Sequence, residues 1–314
     1  MASLEEMFGA GRSNGSFLGL PRAGDLARET ADIVLIGAAG CTPYGSVGFY
    51  CAGGPAAIRA AGVAYGQNLG HANFDLGGPV LPEGVRAVDA GDLPQEIGDA
   101  AGNRARIFGA VSAVLDKGGV PVLIGGDDSL PIPMLEAFGG RGGPVVVLQI
   151  DAHIDWRDVV DGERLGLSST MRRASEMGHV AQIVQVGQRG IGSARMGDWQ
   201  DAVAWGVGFV PGGEVAREGV WRAIDLIPAG AEVVVCLDVD ALDPGVMPAV
   251  IGRTAGGLSY WQVLELIGGV AEKARIVGMG MVELMPERDI DGQGALLAAQ
   301  ILASVLGIVA RQRG

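Results

Sequence analysis

The sequence predicts a three-layer α/β/α fold built on a mostly parallel, doubly wound sheet. Several short runs rich in β-branched residues are continuously apolar rather than alternating, which is typical of strands covered on both faces. Segments of helical length and composition lie between these runs. Alternation of strand and helix along a chain favours a parallel sheet with helices packed on both of its faces.

The predicted elements follow one another in that alternating pattern. Apolar, β-branched runs predict strands at residues 32–36, 120–124, 145–150, 181–186, 232–237 and 275–279. Segments of helical length predict helices at residues 94–117, 130–138, 170–177, 260–272 and 293–309. Loops are predicted at residues 139–144 and 158–169, and the second is polar and long enough to be functional. No linker rich in proline, serine or charge interrupts the pattern, so residues 1–314 are predicted to form a single domain.

The longest apolar stretch of the chain lies near its C-terminal end, at residues 295–310. It is interrupted by Gln300 and Ser304 and is shorter than the roughly 20 residues that a helix needs to span a bilayer. We therefore expect a buried core helix here and no membrane partner.

Composition and charge exclude several classes of protein. Of the 314 residues, 48% are hydrophobic and 19% are charged, which excludes a disordered chain because enough apolar surface is present to offset the entropy of ordering. The net charge is −13 and no run of lysine or arginine occurs, so binding to nucleic acid or to an anionic membrane has no electrostatic basis. The negative electrostatic field of such a protein suits a small cationic substrate better.

Cysteine usage and the N-terminal segment indicate a cytoplasmic protein. Three cysteines, Cys41, Cys51 and Cys236, form no disulfide framework and favour a reducing compartment. Residues 1–15 contain Glu5 and Glu6 and lack the basic-then-apolar pattern of a signal peptide.

Three of the predicted strands run directly into acidic clusters, at residues 125–129, 151–155 and 238–243. In an open α/β sheet, ligands bind in the crevice beyond the carboxyl ends of the strands, so the three clusters can share one site. Side chains two positions apart point to the same side of an extended segment. This spacing brings Asp151, His153 and Asp155 together, and likewise Asp238 and Asp240.

Several carboxylates and an imidazole in one pocket repel one another unless cations lie between them. Mixed carboxylate and imidazole ligands favour manganese, iron, nickel, cobalt or zinc. A single Asp-Xaa-Asp motif after a strand is explained equally well by a helix cap or a turn. The repetition at three strand ends favours a metal site.

At these residues the sequence resembles the ureohydrolase family, which includes arginase, agmatinase and guanidinobutyrase. The resemblance begins with Gly-Pro-Ala-Ala-Ile-Arg at residues 54–59 and Val-Asp-Ala-Gly-Asp at residues 88–92. It continues through the three acidic motifs and ends with Val-Glu-Leu-Met-Pro at residues 282–286. The resemblance implies an arginase-like fold, assembly into trimers or hexamers, and two manganese ions bridged by a hydroxide. That hydroxide attacks the carbon of a small guanidino substrate, and urea and an amine leave.

The resemblance also implies roles for individual residues. Asp151 and Asp238 would bridge the two metals, His153 and Asp240 would complete one metal, and Asp155 would complete the other. Glu283 falls where the family places a carboxylate against the substrate guanidinium, and Glu283 and His153 are the implied catalytic residues. Asp243 is expected to fix its loop rather than to touch metal.

Four positions depart from the family pattern: Ala52 stands where an arginine often precedes the Gly-Pro, Gly280 where an aspartate often precedes the Val-Glu, and the other two are candidate site residues. Asp128 stands where the motif Gly-Gly-Asp-His-Ser has its metal-binding histidine, so a carboxylate would ligate the metal that Asp155 also holds. Ser168 stands where agmatinase-like members have a histidine near the substrate, and serine cannot titrate near neutral pH.

These departures leave two readings open. One is an active hydrolase with manganese or an altered metal such as nickel, acting on an unusual guanidine or biguanide. The other is a non-catalytic subunit whose paralogous partner performs the chemistry, an arrangement that resembles the two-component metformin hydrolases. In either reading the partners are ureohydrolase-like subunits of a homo- or hetero-oligomer.

Overall fold

Eight strands form one sheet in residues 15–314, the part of the chain that this computed structural model describes. Residues 1–14, which include Glu5 and Glu6 of the N-terminal segment, lie outside the described residues. The strands are β1 Ile33–Ala38, β2 Ala87–Asp92, β3 Val120–Gly125, β4 Val145–Ile150, β5 Val180–Val186, β6 Gly208–Val210, β7 Glu232–Asp238 and β8 Arg275–Val282. Their order across the sheet is β2-β1-β3-β8-β7-β4-β5-β6, and every pairing is parallel. The sheet is thus wholly parallel among the described strands, where the sequence predicts a mostly parallel one.

Helices cover both faces of the sheet, as predicted. They are α1 Gly54–Gly62, α2 Ala100–Asp116, α3 Pro131–Phe138, α4 Thr170–Glu176, α5 Met196–Trp205, α6 Gly212–Glu218, α7 Trp221–Leu226, α8 Tyr260–Lys273 and α9 Gln293–Arg311. Buried side chains of α1 and α6 to α9 form one apolar core, and those of α2 to α5 form a second core on the opposite face. The three layers explain the apolar strands: in β1, Ile33 and Leu35 enter the first core while Val34 and Ile36 enter the second.

Helix α2 begins at Ala100, later than the predicted start at residue 94. The side chain of Asp99 accepts a hydrogen bond from the backbone N–H of Gly102 at 2.9 Å and caps the helix at this point. The sequence analysis also missed two strands, β2 and β6, and four helices, α1, α5, α6 and α7. β6 has only three residues and β2 contains two aspartates, so neither shows the apolar run that predicts a strand.

The C-terminal stretch forms α9, which is long and apolar enough to cross a membrane by composition alone. However, 67% of its most apolar window is buried inside the protein, where α9 packs against α1 and α8. The prediction of a buried core helix is confirmed.

The strand order brings four strands with acidic ends side by side. β3, β8, β7 and β4 are consecutive neighbours in the sheet, although they are widely separated along the chain. Because all four run parallel, their carboxyl ends meet at one edge, and the residues that follow them surround a single cavity.

Candidate metal centre

A cavity of about 270 Å³ lies beyond the carboxyl ends of these four strands. It receives side chains from each strand end, from the polar loop at residues 158–169 and from α5. Its polar lining contains most of the predicted site residues, namely Asp128, His153, Asp155, Ser168, Asp238, Asp240 and Glu283. Asp151 is fully buried directly beside them.

One group of potential metal ligands consists of Asp151, His153 and Asp240. Each offers one ligand atom, and these atoms lie within 4.8 Å of one another. His153 Nδ1 is 3.1 Å from Asp240 Oδ2 and 3.4 Å from Asp151 Oδ1. The imidazole therefore lies between two carboxylates that come from different strands.

A second group consists of Asp128, Asp151 and Asp238, again with ligand atoms within 4.8 Å of one another. Asp151 belongs to both groups, whereas Asp238 belongs to this one alone. The Oδ2 atom of Asp128 is buried and has no hydrogen-bond partner within the described residues. An unpartnered buried carboxylate oxygen is costly unless a cation is bound there.

Asp155 reaches the cluster in a different way from the one predicted. The segment after β4 is not extended, since β4 ends at Ile150 and Asp155 has a φ of +44°. Asp155 is instead joined to Asp151 through Gln149, whose Nε2 donates to Asp151 Oδ2 at 2.7 Å and to Asp155 Oδ2 at 2.6 Å. The residues do converge, but through a turn and a bridging amide rather than through strand alternation.

The turn interpretation of the Asp-Xaa-Asp motifs is also correct in part. The backbone N–H of Asp240 donates to Asp238 Oδ1 at 2.7 Å, and the backbone N–H of His153 donates to Asp151 Oδ1 at 2.6 Å. These bonds orient the side chains toward the cavity. A local turn and a ligand cluster are therefore compatible here.

The carboxylates of the cluster are buried and lie close enough to repel one another. Burial raises the pKa of Asp128, Asp151, Asp155 and Asp238, and neighbouring carboxylates raise each pKa further. Burial alone would lower the pKa of His153, but hydrogen bonds to Asp151 and Asp240 raise it to about 12. A positive charge in the pocket would lower the pKa of each of these carboxyl groups and of His153.

Glu283 follows β8 and faces the same cavity. It has a φ of +71°, and its Oε1 accepts a hydrogen bond from the backbone N–H of Asp128 at 2.8 Å. Burial raises its pKa to about 8. The hydroxyl of Tyr50 lies 2.7 Å from both carboxylate oxygens of Glu283 and donates to them. The sequence analysis missed Tyr50, because a lone tyrosine before the motif at residues 54–59 has no diagnostic spacing.

The remaining predicted residues lie close by. Ser168 lines the cavity, and its backbone N–H donates to the hydroxyl of Tyr44 at 3.2 Å. Asp243 accepts backbone hydrogen bonds from Gly245 and Gly256, each at 2.9 Å, and from Gly257 at 3.1 Å. The prediction that Asp243 fixes its loop is confirmed.

Comparison with known proteins agrees with this architecture. A family model described as the arginase family matches residues 31–307. Mitochondrial agmatinase of Gallus gallus is 30% identical over 270 residues, which cover 82% of this chain and 75% of that protein. Mitochondrial guanidino acid hydrolase of Homo sapiens is 30% identical over 265 residues, covering 81% of this chain and 71% of that protein.

Solved structures share the fold over almost the whole chain. A hypothetical agmatinase from Burkholderia thailandensis superposes with a TM-score of 0.83 at 24% identity, covering 98% of this chain and 93% of that chain. Proclavaminate amidino hydrolase from Streptomyces clavuligerus superposes with a TM-score of 0.78 at 29% identity, covering 95% and 97% respectively.

The parallel three-layer fold and the acidic strand ends define an arginase-like α/β protein of the ureohydrolase class. The chain belongs to the arginase family and resembles its agmatinase-like branch.

Proposed function

We propose that this protein is a metal-dependent hydrolase that cleaves a C–N bond of a small cationic guanidino compound to give urea, or a substituted urea, and an amine. The observation that carries the proposal is the convergence of two ligand groups, sharing Asp151, at the carboxyl ends of three strands, β3, β7 and β4. The agmatinase and guanidino acid hydrolase among its relatives support the substrate class.

The residues present fit two divalent cations. The donor set is carboxylate-rich with one imidazole, which suits manganese and also nickel. The unpartnered Oδ2 of Asp128 and the mutually raised carboxylate pKa values are the features that bound cations would relieve. Such ions would supply Lewis-acid chemistry that lowers the pKa of a water molecule.

We assign Asp151 and Asp238 as residues that would hold both metals, His153 and Asp240 as residues that would hold one of them, and Asp155 and Asp128 as residues that would hold the other. The assignment of Asp151 is supported by its place in both groups.

Glu283 is the proposed partner of the substrate guanidinium. Its carboxylate is oriented by Tyr50 and by the backbone N–H of Asp128. These contacts hold the acceptor in place before substrate arrives, which lowers the entropy cost of binding. Ser168 is proposed to contact the substrate from the polar loop.

A second candidate is a non-catalytic subunit that requires a paralogous partner. Two observations favour it: Asp128 adds a negative charge to the ligand cluster, and Ser168 places no titratable group in the cavity. Extra negative charge makes bound water a weaker acid, so the nucleophile forms less readily at neutral pH.

The decisive experiment measures metal per subunit in the purified chain together with urea release over a panel of guanidines. Wild type should bind metal stoichiometrically and release urea or a substituted urea. Asp151→Asn together with Asp238→Asn should abolish metal binding without unfolding the chain, because the substitutions keep the shape of two buried side chains and remove charges that repel neighbouring carboxylates. Unchanged metal content in the double variant would contradict the site assignment.

The variant Asp128→His separates the two candidates. If the protein is an enzyme adapted to a carboxylate at position 128, the imidazole of the variant changes which metal binds and how its ligands are arranged. Turnover should then fall. In a non-catalytic subunit, wild type is inert alone and gains activity only with its paralogue, and restoring histidines at positions 128 and 168 raises activity of the isolated chain.

We further propose that the protein forms trimers or hexamers with ureohydrolase-like subunits. We also propose that it functions in the cytoplasm, where its three cysteines, all free and buried, remain reduced.

A further inference from the structure

Both carboxylate oxygens of Glu283 already have hydrogen-bond donors within the protein. The hydroxyl of Tyr50 lies 2.7 Å from Oε1 and 2.7 Å from Oε2. The backbone N–H of Asp128 donates to Oε1 at 2.8 Å, and the thiol of Cys51 donates to Oε2 at 3.8 Å. Glu283 lines the cavity but is only 5% exposed. A ligand that reaches this carboxylate must therefore displace one of the three donors.

Tyr50 is the donor that stands in the way of a ligand in the cavity. Its side chain lines the cavity, whereas the thiol of Cys51 is buried. A hydroxyl that is equally close to both oxygens lies where a guanidinium docks two parallel N–H groups on a carboxylate. The hydroxyl and the guanidinium need the same place, so they cannot bind Glu283 together in this way.

The segment that carries Tyr50 is a loop, whereas Glu283 is fixed at the end of a strand. Residues 39–53 connect β1 to α1 through turns, and Tyr50 within them is half-buried. Glu283 directly follows β8, and its backbone N–H donates to the carbonyl oxygen of Gly126 at 2.8 Å. When a ligand docks on the carboxylate, we therefore expect Tyr50 to move and Glu283 to stay.

We infer that Tyr50 competes with the substrate for Glu283 and thereby sets how strongly the cavity binds a guanidinium. This inference rests on the proposed function, because that proposal assigns Glu283 to the substrate guanidinium. In the empty cavity the hydroxyl of Tyr50 holds the carboxylate in place, and it leaves when the guanidinium arrives. The hydrogen bond that breaks is charge-assisted, and such bonds are among the strongest in proteins.

Tyr50 thus has two opposing effects on binding. It orients Glu283, which favours binding, and it occupies the docking position, which opposes binding. The orientation does not depend on Tyr50 alone, because the N–H of Asp128 and the thiol of Cys51 stay in contact with the carboxylate after Tyr50 has moved. Competition is therefore the larger effect, and Tyr50 weakens the binding of a guanidinium.

Calorimetric titration of the metal-loaded chain with methylguanidinium measures this competition. Tyr50→Phe removes the hydroxyl and keeps the ring, so Kd should fall by about 10- to 100-fold, the effect of one hydrogen bond to a charged group. Tyr50→Ala should tighten binding as well. Tetramethylguanidinium carries the same charge but cannot present parallel N–H groups from two nitrogens, so its Kd should stay as in wild type.

Hydrolysis gives a second measure of the same effect. For any guanidine that wild type cleaves, Tyr50→Phe should lower KM and leave kcat unchanged. The reason is that the hydroxyl is displaced both in the bound substrate and in the transition state, so its removal strengthens both equally. If Tyr50 only oriented Glu283, the same variant would raise KM and weaken the binding of methylguanidinium.

The matched control is Tyr260→Phe. Tyr260 also donates its hydroxyl to a carboxylate, that of Asp75, but it lines a different cavity. Its loss should leave the Kd of methylguanidinium unchanged. Adding Glu283→Gln to Tyr50→Phe should abolish the gain in affinity, because the gain requires the carboxylate that Tyr50 releases.

The outcomes separate this inference from the proposed function. Equal or weaker methylguanidinium binding in Tyr50→Phe and Tyr50→Ala, with metal content and circular dichroism as in wild type, would overturn the inference. Hydrolysis of guanidines by wild type would then leave the proposed function standing. Tighter binding in Tyr50→Phe without hydrolysis by either protein would support the inference and reject the proposed activity. Neither binding nor hydrolysis in any of these proteins would reject both.

Discussion

Gln149 shows how a neutral side chain can hold an acidic cluster together. Its Nε2 donates to carboxylate oxygens of both Asp151 and Asp155, and its own Oε1 accepts a hydrogen bond from Gln185. Gln149, Gln185 and Asp151 are buried and Asp155 lines the cavity, so the amide of Gln149 sets the direction in which the two carboxylates point. Residues that orient metal ligands in this way affect metal affinity without touching the metal.

At this scale we predict that Gln149→Met weakens metal binding. The substitution keeps the volume of the side chain but removes both hydrogen bonds to the ligands, and such changes lower metal affinity by about 10- to 100-fold. Calorimetric titration of the metal-free chain with Mn²⁺ measures the effect. Gln182→Met is the control, since Gln182 donates to the carbonyl oxygen of Leu226 and is remote from the cluster. Equal Mn²⁺ affinity in Gln149→Met and wild type would show that Gln149 does not position the ligands.

At the scale of elements, a buried ion pair fastens α1 to the edge strand β2. Arg59 of α1 donates to Asp89 of β2 from Nε at 2.8 Å and from Nη2 at 3.0 Å. Asp89 is fully buried and also accepts the backbone N–H groups of Phe17 and Gly91, each at 2.8 Å. Burial would raise the pKa of Asp89, but the hydrogen bonds from Arg59 and the backbone amides lower it overall.

We predict that Asp89→Asn lowers the free energy of unfolding at neutral pH by about 1.5–3 kcal/mol, because it removes one of the two carboxylates that pair with the buried Arg59 and leaves Asp92 as the other. The folded pKa of Asp89 lies below the unfolded one, so its contribution is fully present above about pH 4 and is lost as the pH falls through the folded pKa. Urea denaturation at neutral pH and in acid should therefore show the gap between wild type and variant shrinking in acid.

The control for this pair is Asp25→Asn. Asp25 forms an exposed ion pair with Arg28, so its loss should cost less than about 0.5 kcal/mol. An Asp89→Asn variant as stable as wild type at neutral pH would contradict a stabilising role for the pair.

At the scale of the whole molecule, the site depends on the order of the strands. β3, β8, β7 and β4 are neighbours, so the acidic residues that follow them meet in one cavity although they span residues 128–283. Cations bound there would hold the ends of β3, β7 and β4 together. Because they bind the native state, they stabilise it by mass action.

We predict that a chelator lowers the thermal midpoint of the metal-loaded protein. At a free metal concentration of about 100 times Kd the stabilisation is about 2.7 kcal/mol, which corresponds to roughly 4 °C for a chain of this size. Differential scanning calorimetry with and without chelator measures the shift. The variant with both Asp151→Asn and Asp238→Asn should show none, and an unshifted midpoint in a sample with verified metal would argue against the site.

Much of this protein could be predicted from local patterns. Continuous apolar runs predicted six of the eight strands because strands buried on both faces need apolar side chains at every position. The acidic motifs at the strand ends predicted most of the cavity lining, since parallel strands deliver their carboxyl ends to one edge. The sequence does not predict β2 because the charged Asp89 interrupts its apolar run. Asp89 is neutralised in the fold by Arg59, which belongs to a separate element.

The sequence by itself therefore determined the alternation of strands and helices, the acidic strand ends and the resemblance to the ureohydrolase family. Only the tertiary structure decided which residues meet: Tyr50 with Glu283, and Gln149 with Asp151 and Asp155. The physical reason is that periodicity and turn chemistry act between near neighbours in the chain. Contacts across the sheet depend on strand order and on turns such as the one at Asp155, which no local pattern specifies.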